Sequence, residues 1–138
     1  MLLVVDTNII VSSLIKGSVT REILLSADIL FVVPEWVHSE IKKHQELIAR
    51  KAGINQDELI QFTEEIFQVV QTIPFSKYKS HIDEGVNVIG AIDKDDAPFI
   101  AIALALGADG IWTNDKDFNK QNVVKVWKTK DLAKKFIR

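Results

Sequence analysis

The chain has 138 residues, 47% of them hydrophobic and 26% charged, which is the size and balance of a single globular domain over 1–138 with material for a sizeable core. It contains no cysteine, which excludes disulfides and thiolate metal sites and leaves oxygen or imidazole as metal donors. The net charge of −2 excludes a uniformly basic polyanion binder, yet Lys116 to Arg138 holds eight basic residues against two acidic ones, so that end carries +6 and the remainder −8.

In chain order, Leu2 to Val5 is a short apolar run rich in β-branched residues and predicts a buried strand ending at Asp6-Thr7-Asn8. Helical spacing follows over Ile9 to Ile15 and Arg21 to Ser26, separated by Lys16-Gly17-Ser18, where Ser18 or Thr20 can cap the second helix. Ile29 to Val33 predicts a second strand, stopped by Pro34, and Glu35 to Ala52 a single helix with Gly53 as its stop. Asn55, with Glu58 three residues later, opens a helix to Val69 in capping-box spacing. Val69 to Ile73 reads as a third strand and Phe75 to Glu84 as a helix. Asp95-Asp96-Ala97-Pro98 then leads into Phe99 to Leu106, a helix so rich in alanine and leucine that it is buried nearly all round, and Gly107 ends it. Gly110 to Thr113 and Val123 to Trp127 give two more strands, and Thr129 caps a basic helix from Lys130 to Arg138. Strands alternating with helices imply a parallel sheet of about five strands covered on both faces, a three-layer α/β sandwich. The N-terminus has no basic lead-in to an apolar stretch, and no apolar run reaches the roughly 20 residues of a membrane helix, so a soluble cytoplasmic protein is expected.

Open parallel sheets bind ligands outside the carboxyl ends of their strands, and right-handed crossovers bring helix N-termini to that same rim. Asp6 directly follows the first strand, and Asp115 stands two residues past the fourth. Asp96 lies in the first turn of its helix, and Glu40 about two turns into the helix after Pro34. Four carboxylates from distant segments therefore converge. Such a group repels itself unless protons or a cation neutralise it, and a hard divalent ion, magnesium or manganese, suits an all-oxygen donor set. That ion can polarise a phosphodiester and activate a water.

These residues resemble the motifs of PIN-domain nucleases over essentially the whole chain. Val4-Val5-Asp6-Thr7-Asn8 resembles the first motif and Ser39-Glu40 the second. Asp96 with Ile100-Ala101 and Ala103-Leu104 resembles the third, and Thr113-Asn114-Asp115-Lys116-Asp117-Phe118 the fourth. The resemblance extends to the toxin half of the virulence-associated toxin–antitoxin pairs. It implies a PIN-like fold, one or two metal ions held by the matched acids Asp6, Glu40, Asp96 and Asp115 with Asp117 as a supporting ligand, and endonucleolytic cleavage of single-stranded RNA. It also implies homodimers and an antitoxin protein as partner, with Asn8 and Thr113 orienting the carboxylates. In the fourth motif either Asp115 or Asp117 can be the family's last acid; Asp115 is preferred. Asp95 reads as the helix cap and Asp96 as the ligand, with Asp93 beside them, while Glu35, a rival to Glu40, is explained by the helix dipole.

Lys42, Lys43, Lys116 and Lys120 are candidate phosphate contacts, though a solvated helix face explains the first two nearly as well. Trp36, Trp112 and Trp127 read as core, and His38, His44 and His81 have no partner at metal-ligand spacing. Taken singly, Asp6, Asp96 and Asp115 each have an ordinary explanation in turns or helix dipoles; their joint placement favours the metal site. The rival functions are a non-catalytic PIN-like module that binds RNA or protein, a receiver domain, which wants an acid pair after its first strand, and a dehalogenase-type phosphatase, which wants an aspartate where Asn8 stands.

Overall fold

A computed structural model describes residues 1–15, 17–26 and 28–137. Lys16, in the predicted break between the first two helices, and Arg138, the predicted last residue of the final helix, lie outside the described residues. Among the described residues the sheet has five strands, β1 (Leu2–Val5), β2 (Leu30–Pro34), β3 (Val70–Ile73), β4 (Gly110–Trp112) and β5 (Val126–Trp127), in the order β3-β2-β1-β4-β5. Every pairing is parallel, with Val4 opposite Val32 on one side and Ile111 on the other. β1 is central and covered by helices on both faces, and Leu3, Val4 and Val5 are fully buried. That placement explains why its sequence is an unbroken apolar run rather than an alternating one.

The chain builds the sheet outward from β1 through β2 to β3, then returns to lay β4 against the other side of β1. The direction of winding thus reverses between β1 and β4, and a crevice opens beyond the carboxyl ends of those two strands. The helix Ala97–Leu106 packs on β1, β2 and β4. Its residues Ala97 and Phe99 through Ala103 are buried, as its composition predicts, and Gly107 ends it in the left-handed conformation (φ +61°).

Several element boundaries differ from the sequence reading for local reasons. The helix predicted over Glu35 to Ala52 is two, Trp36–Lys43 and Gln45–Ala52, because His44 leaves helical geometry (φ −106°, ψ 18°). The first helix starts at Thr7 because the Asp6 carbonyl accepts from both Ile9 and Ile10 N–H, so strand turns into helix without a loop. Ser18, not Thr20, holds the next helix, Val19–Ser26, by accepting from Arg21 N–H at 3.1 Å. β5 is shorter than expected. The Gln121 side chain donates to the carbonyls of Phe118 and Val124 and accepts from Val123 and Val124 N–H, which folds that stretch into a loop. Phe75 to Asp96 is a succession of short α, 3-10 and π turns in place of one helix to Glu84. The last helix is Thr129–Phe136. Thr129 is its first residue and not its cap, and Asp131 instead accepts from Lys128 N–H at 3.0 Å. Among the described residues no helix is long and apolar enough to cross a membrane.

Candidate metal centre

Asp6 is placed by the backbone of β1. Its N–H donates to the Trp112 carbonyl at 3.1 Å, one rung past the paired residues of β1 and β4. The residue is 5% exposed, and burial raises its carboxyl above the usual range, with Asp115 adding to the effect. The Thr113 hydroxyl and the amides of Asn8 and Thr7 partly offset it. Thr113, itself fully buried, donates its hydroxyl to Asp6 Oδ2 at 2.8 Å and accepts from Asp115 N–H at 3.0 Å. One hydroxyl therefore sets the side chain of one acid and the backbone of another.

Beyond Thr113 the chain turns at Asp115, whose Oδ1 accepts from Asp117 N–H at 2.9 Å and starts the 3-10 turn Lys116–Lys120. Buried Phe118 anchors this turn, which swings Asp117 back beside Asp115. Asp96 arrives from the other direction. It sits at the N-cap position of the Ala97–Leu106 helix without a capping bond from its side chain. The capping aspartate of the preceding turn is Asp93, which accepts from the backbone N–H of Asp95 at 2.9 Å; the expectation that Asp95 caps the Ala97–Leu106 helix is corrected, because the N-cap position is held by Asp96.

Ligand oxygens of Asp96, Asp115 and Asp117 lie within 4.8 Å of one another. Burial, followed by the charges of Asp93, Asp6, Asp115 and Asp117, pushes the Asp96 carboxyl up to about 7. Its Oδ2 is buried and has no hydrogen-bond partner among the described residues. A buried carboxylate oxygen without a donor costs free energy that a cation or a proton would recover. Three convergent carboxylates, one orphaned oxygen and no soft donor fit a hard divalent ion.

The remaining predicted residues take different places. Asp6 is coupled by charge to Asp96 and Asp115, and with Asn8, Ile9, Ser12, Asn114 and Asp115 it lines a cleft of about 290 Å3. The expectation that Glu40 converges on the ion with the other acids is corrected: among the described residues the metal-compatible group is Asp96, Asp115 and Asp117 without it. Glu40 pairs with His44 at 3.5 Å and lines an adjoining hollow with Thr7, Asn8 and Trp36. Asn8 is exposed and borders both hollows. Lys120 reaches Asp117 Oδ1 at 3.2 Å, and Lys116 is exposed next to it. Lys42 and Lys43 are exposed; Lys42 borders a separate groove with His38, Ile60 and Glu64, on the other side of its helix from Glu40. Glu35 accepts from the buried Tyr78 hydroxyl at 3.2 Å, and burial with the Glu35 charge pushes that phenol up to about 12.

Two features carried no sequence signal. Asp93 is the strongest like-charge neighbour of Asp96, yet in sequence it is only one of three crowded aspartates. Asn114 is held by Thr129, fifteen residues away, and no spacing rule links a loop asparagine to a helix-opening threonine at that distance.

A family model for the PIN domain matches residues 4–137. The comparison with curated proteins finds no match. Among solved structures, the chain is similar to one in the crystal structure of VapBC2 from Rickettsia felis bound to a DNA fragment from their promoter. The TM-score is 0.71 at 16% identity, and the similarity covers 93% of this chain and 98% of that one. At that identity the likeness is one of fold.

Proposed function

Because the chain belongs to the PIN domain family, we propose that it is a magnesium- or manganese-dependent endoribonuclease, a single domain over 1–138 that cleaves single-stranded RNA in the cytoplasm as the toxin of a toxin–antitoxin pair. The observation that carries this reading is the group Asp96, Asp115 and Asp117, converged to within 4.8 Å with a buried Asp96 oxygen that has no partner among the described residues. Crowding of this kind is a poor structural choice and a good ligand set. The antitoxin partner rests on the similarity to a chain of VapBC2, and the homodimer on family resemblance.

In this reading Asp96, Asp115 and Asp117 hold the ion, with Asp6 beside them. A cation bound there would supply charge to offset the phosphodiester and an activated water to attack it. The protein's own groups do the positioning. Thr113 holds Asp6 and the Asp115 backbone in register through one hydroxyl. Asn8 stands on the open rim, where substrate arrives. Lys116 and Lys120 bring positive charge next to the acids and add a salt-sensitive attraction for RNA phosphates. Glu40, across Asn8 from the cluster, is assigned to the reaction and not to the ion.

The test is cleavage of an unstructured RNA with manganese, with magnesium and with chelator. Asp6→Asn and Asp96→Asn should each abolish divalent-dependent cleavage while preserving the circular dichroism spectrum, since each removes charge with little change of volume. Wild-type protein that neither cleaves nor binds manganese by calorimetry would instead mark a non-catalytic PIN-like module.

A further inference from the structure

We propose that Thr129, the first residue of the C-terminal helix, is a positioning residue for the acid cluster, acting through Asn114; this rests on the metal-dependent reading above. Thr129 Oγ1 accepts from Asn114 Nδ2 at 2.9 Å and from Trp112 Nε1 at 3.0 Å, and Thr129 N–H donates to Asn114 Oδ1 at 3.0 Å. A hydroxyl oxygen has two lone pairs, and both are used. The Asn114 amide is thereby gripped at both ends, and among the described residues Thr129 is its only side-chain partner.

The importance of this grip comes from where Asn114 stands. It lies between Thr113, whose hydroxyl sets Asp6, and Asp115, whose carboxylate meets Asp96 and Asp117. The like charges of those three acids push the loop outward. Asn114 is the exposed link between buried Thr113 and half-buried Asp115, and it is where the chain would yield to such a push unless its side chain were held. The rigid support is Trp112, whose side chain is fully buried in β4 and whose indole N–H needs an acceptor that only Thr129 supplies among the described residues. β-Branching limits the rotamers of Thr129 and keeps its oxygen between the two donors. The C-terminal helix is thus tied to the metal loop through one side chain.

The experiment compares Thr129→Val, Thr129→Ser and Asn114→Ala, alone and with Asn114→Ala combined with Thr129→Val, well below their melting temperatures. Manganese affinity is read by calorimetry, kcat and KM on RNA by cleavage, and the Trp112 indole N–H by its exchange rate in nitrogen-15 spectra. Thr129→Val should weaken manganese binding about tenfold and lower kcat by a similar factor, with KM within about twofold. Thr129→Ser should restore both. The double variant should be no worse than the poorer single, because both changes open one clamp. Faster indole exchange in Thr129→Val, with manganese affinity and kcat unchanged, would make the tie purely structural and overturn the proposal. If Thr129→Val fails to fold, Asn114→Ala carries the test, and unaltered manganese affinity there is equally fatal. Wild-type protein without manganese binding or cleavage would remove the functional reading itself, a failure visible before any variant is made.

Discussion

Replacing Asp96 with asparagine should stabilise the metal-free protein at pH 8 even as it destroys the site. The folded carboxyl titrates near 7 and an ordinary aspartate at 3.8, so between those values the native state keeps a proton that the unfolded chain has released. The contribution of this one group to native stability is therefore fully present below about pH 4, is lost as pH rises to 7, and is level above that. If the whole gap acted on folding it would amount to about 4 kcal/mol. Asp96 is only half-buried, and solvent screening reduces the expected penalty to about 2 kcal/mol. For a domain of this length that corresponds to about 6 °C in melting temperature. Asparagine carries no charge, and its amide hydrogens can donate to the neighbouring carboxylates. The assay is thermal unfolding by circular dichroism in chelator from pH 5 to 8.5. The wild-type melting temperature should drop across this range while the variant, with a residual slope from Asp6, stays flatter and overtakes it. Saturating manganese should then raise the wild type by removing the repulsion, about 2.7 kcal/mol at a hundred times Kd, and leave the variant unmoved. Parallel pH profiles would refute the reasoning, because the like-charge crowding would then not act on stability at all.

Thr113→Val should lower cleavage about 10–100-fold and destabilise the fold by about 1–3 kcal/mol, since it strips a hydroxyl that serves both Asp6 and Asp115; kinetics and urea denaturation measure the two losses. Glu40→Gln should leave manganese affinity within about twofold, because Glu40 lies outside the three-carboxylate group, while lowering cleavage at least about tenfold as expected of an acid acting in the reaction; calorimetry beside a cleavage assay separates these effects. Gly85→Ala should destabilise by about 1–3 kcal/mol in urea denaturation, since an added Cβ would stand 2.5 Å from the Ala97 carbonyl oxygen.

The parts of this protein that the sequence reveals are those governed by local rules. The β1 run, the Asn55 to Glu58 capping box, and the buried alanine-rich helix with its glycine stop all stand where periodicity and capping chemistry put them. The convergence of Asp96 and Asp115 follows once the sheet is parallel, because strand ends and helix starts share one rim. What stays hidden is set by side chains that capture backbone across short or long distances. Gln121 bends a predicted strand into a loop, Asp93 caps the short turn before the Ala97–Leu106 helix while Asp96, not Asp95, holds that helix's N-cap position, and Thr129 spends its hydroxyl on Trp112 and Asn114 in place of its own helix. Glu40 shows a further limit. Its helix begins at the rim, yet helical rotation turns the side chain toward His44 and the adjoining hollow, and a difference of one helical turn cannot be read from the position of a proline.

The energetic problem for such a site is how a fold tolerates carboxylates pressed together when no ion is present, and the answer lies in which elements carry them. Asp6 ends a strand whose residues Leu3, Val4 and Val5 are fully buried, Asp115 follows fully buried Trp112 and Thr113, and Asp96 precedes a helix buried from Phe99 through Ala103. Burying each large apolar side chain contributes about 1.5–3 kcal/mol, so exposing even one or two of the flanking residues would cost as much as separating the acids relieves. These elements cannot separate without opening the core. Flexible loops would relieve the strain by moving apart and would lose the ligand geometry in doing so. Asp117 is the exception, since it stands on a surface turn, and there Phe118 is driven into the core immediately after it while Lys120 neutralises its outer oxygen. The acid with the least support from the sheet thus has its own anchor and its own counter-charge, which is the distribution required if all four carboxylates must stay in place before an ion arrives.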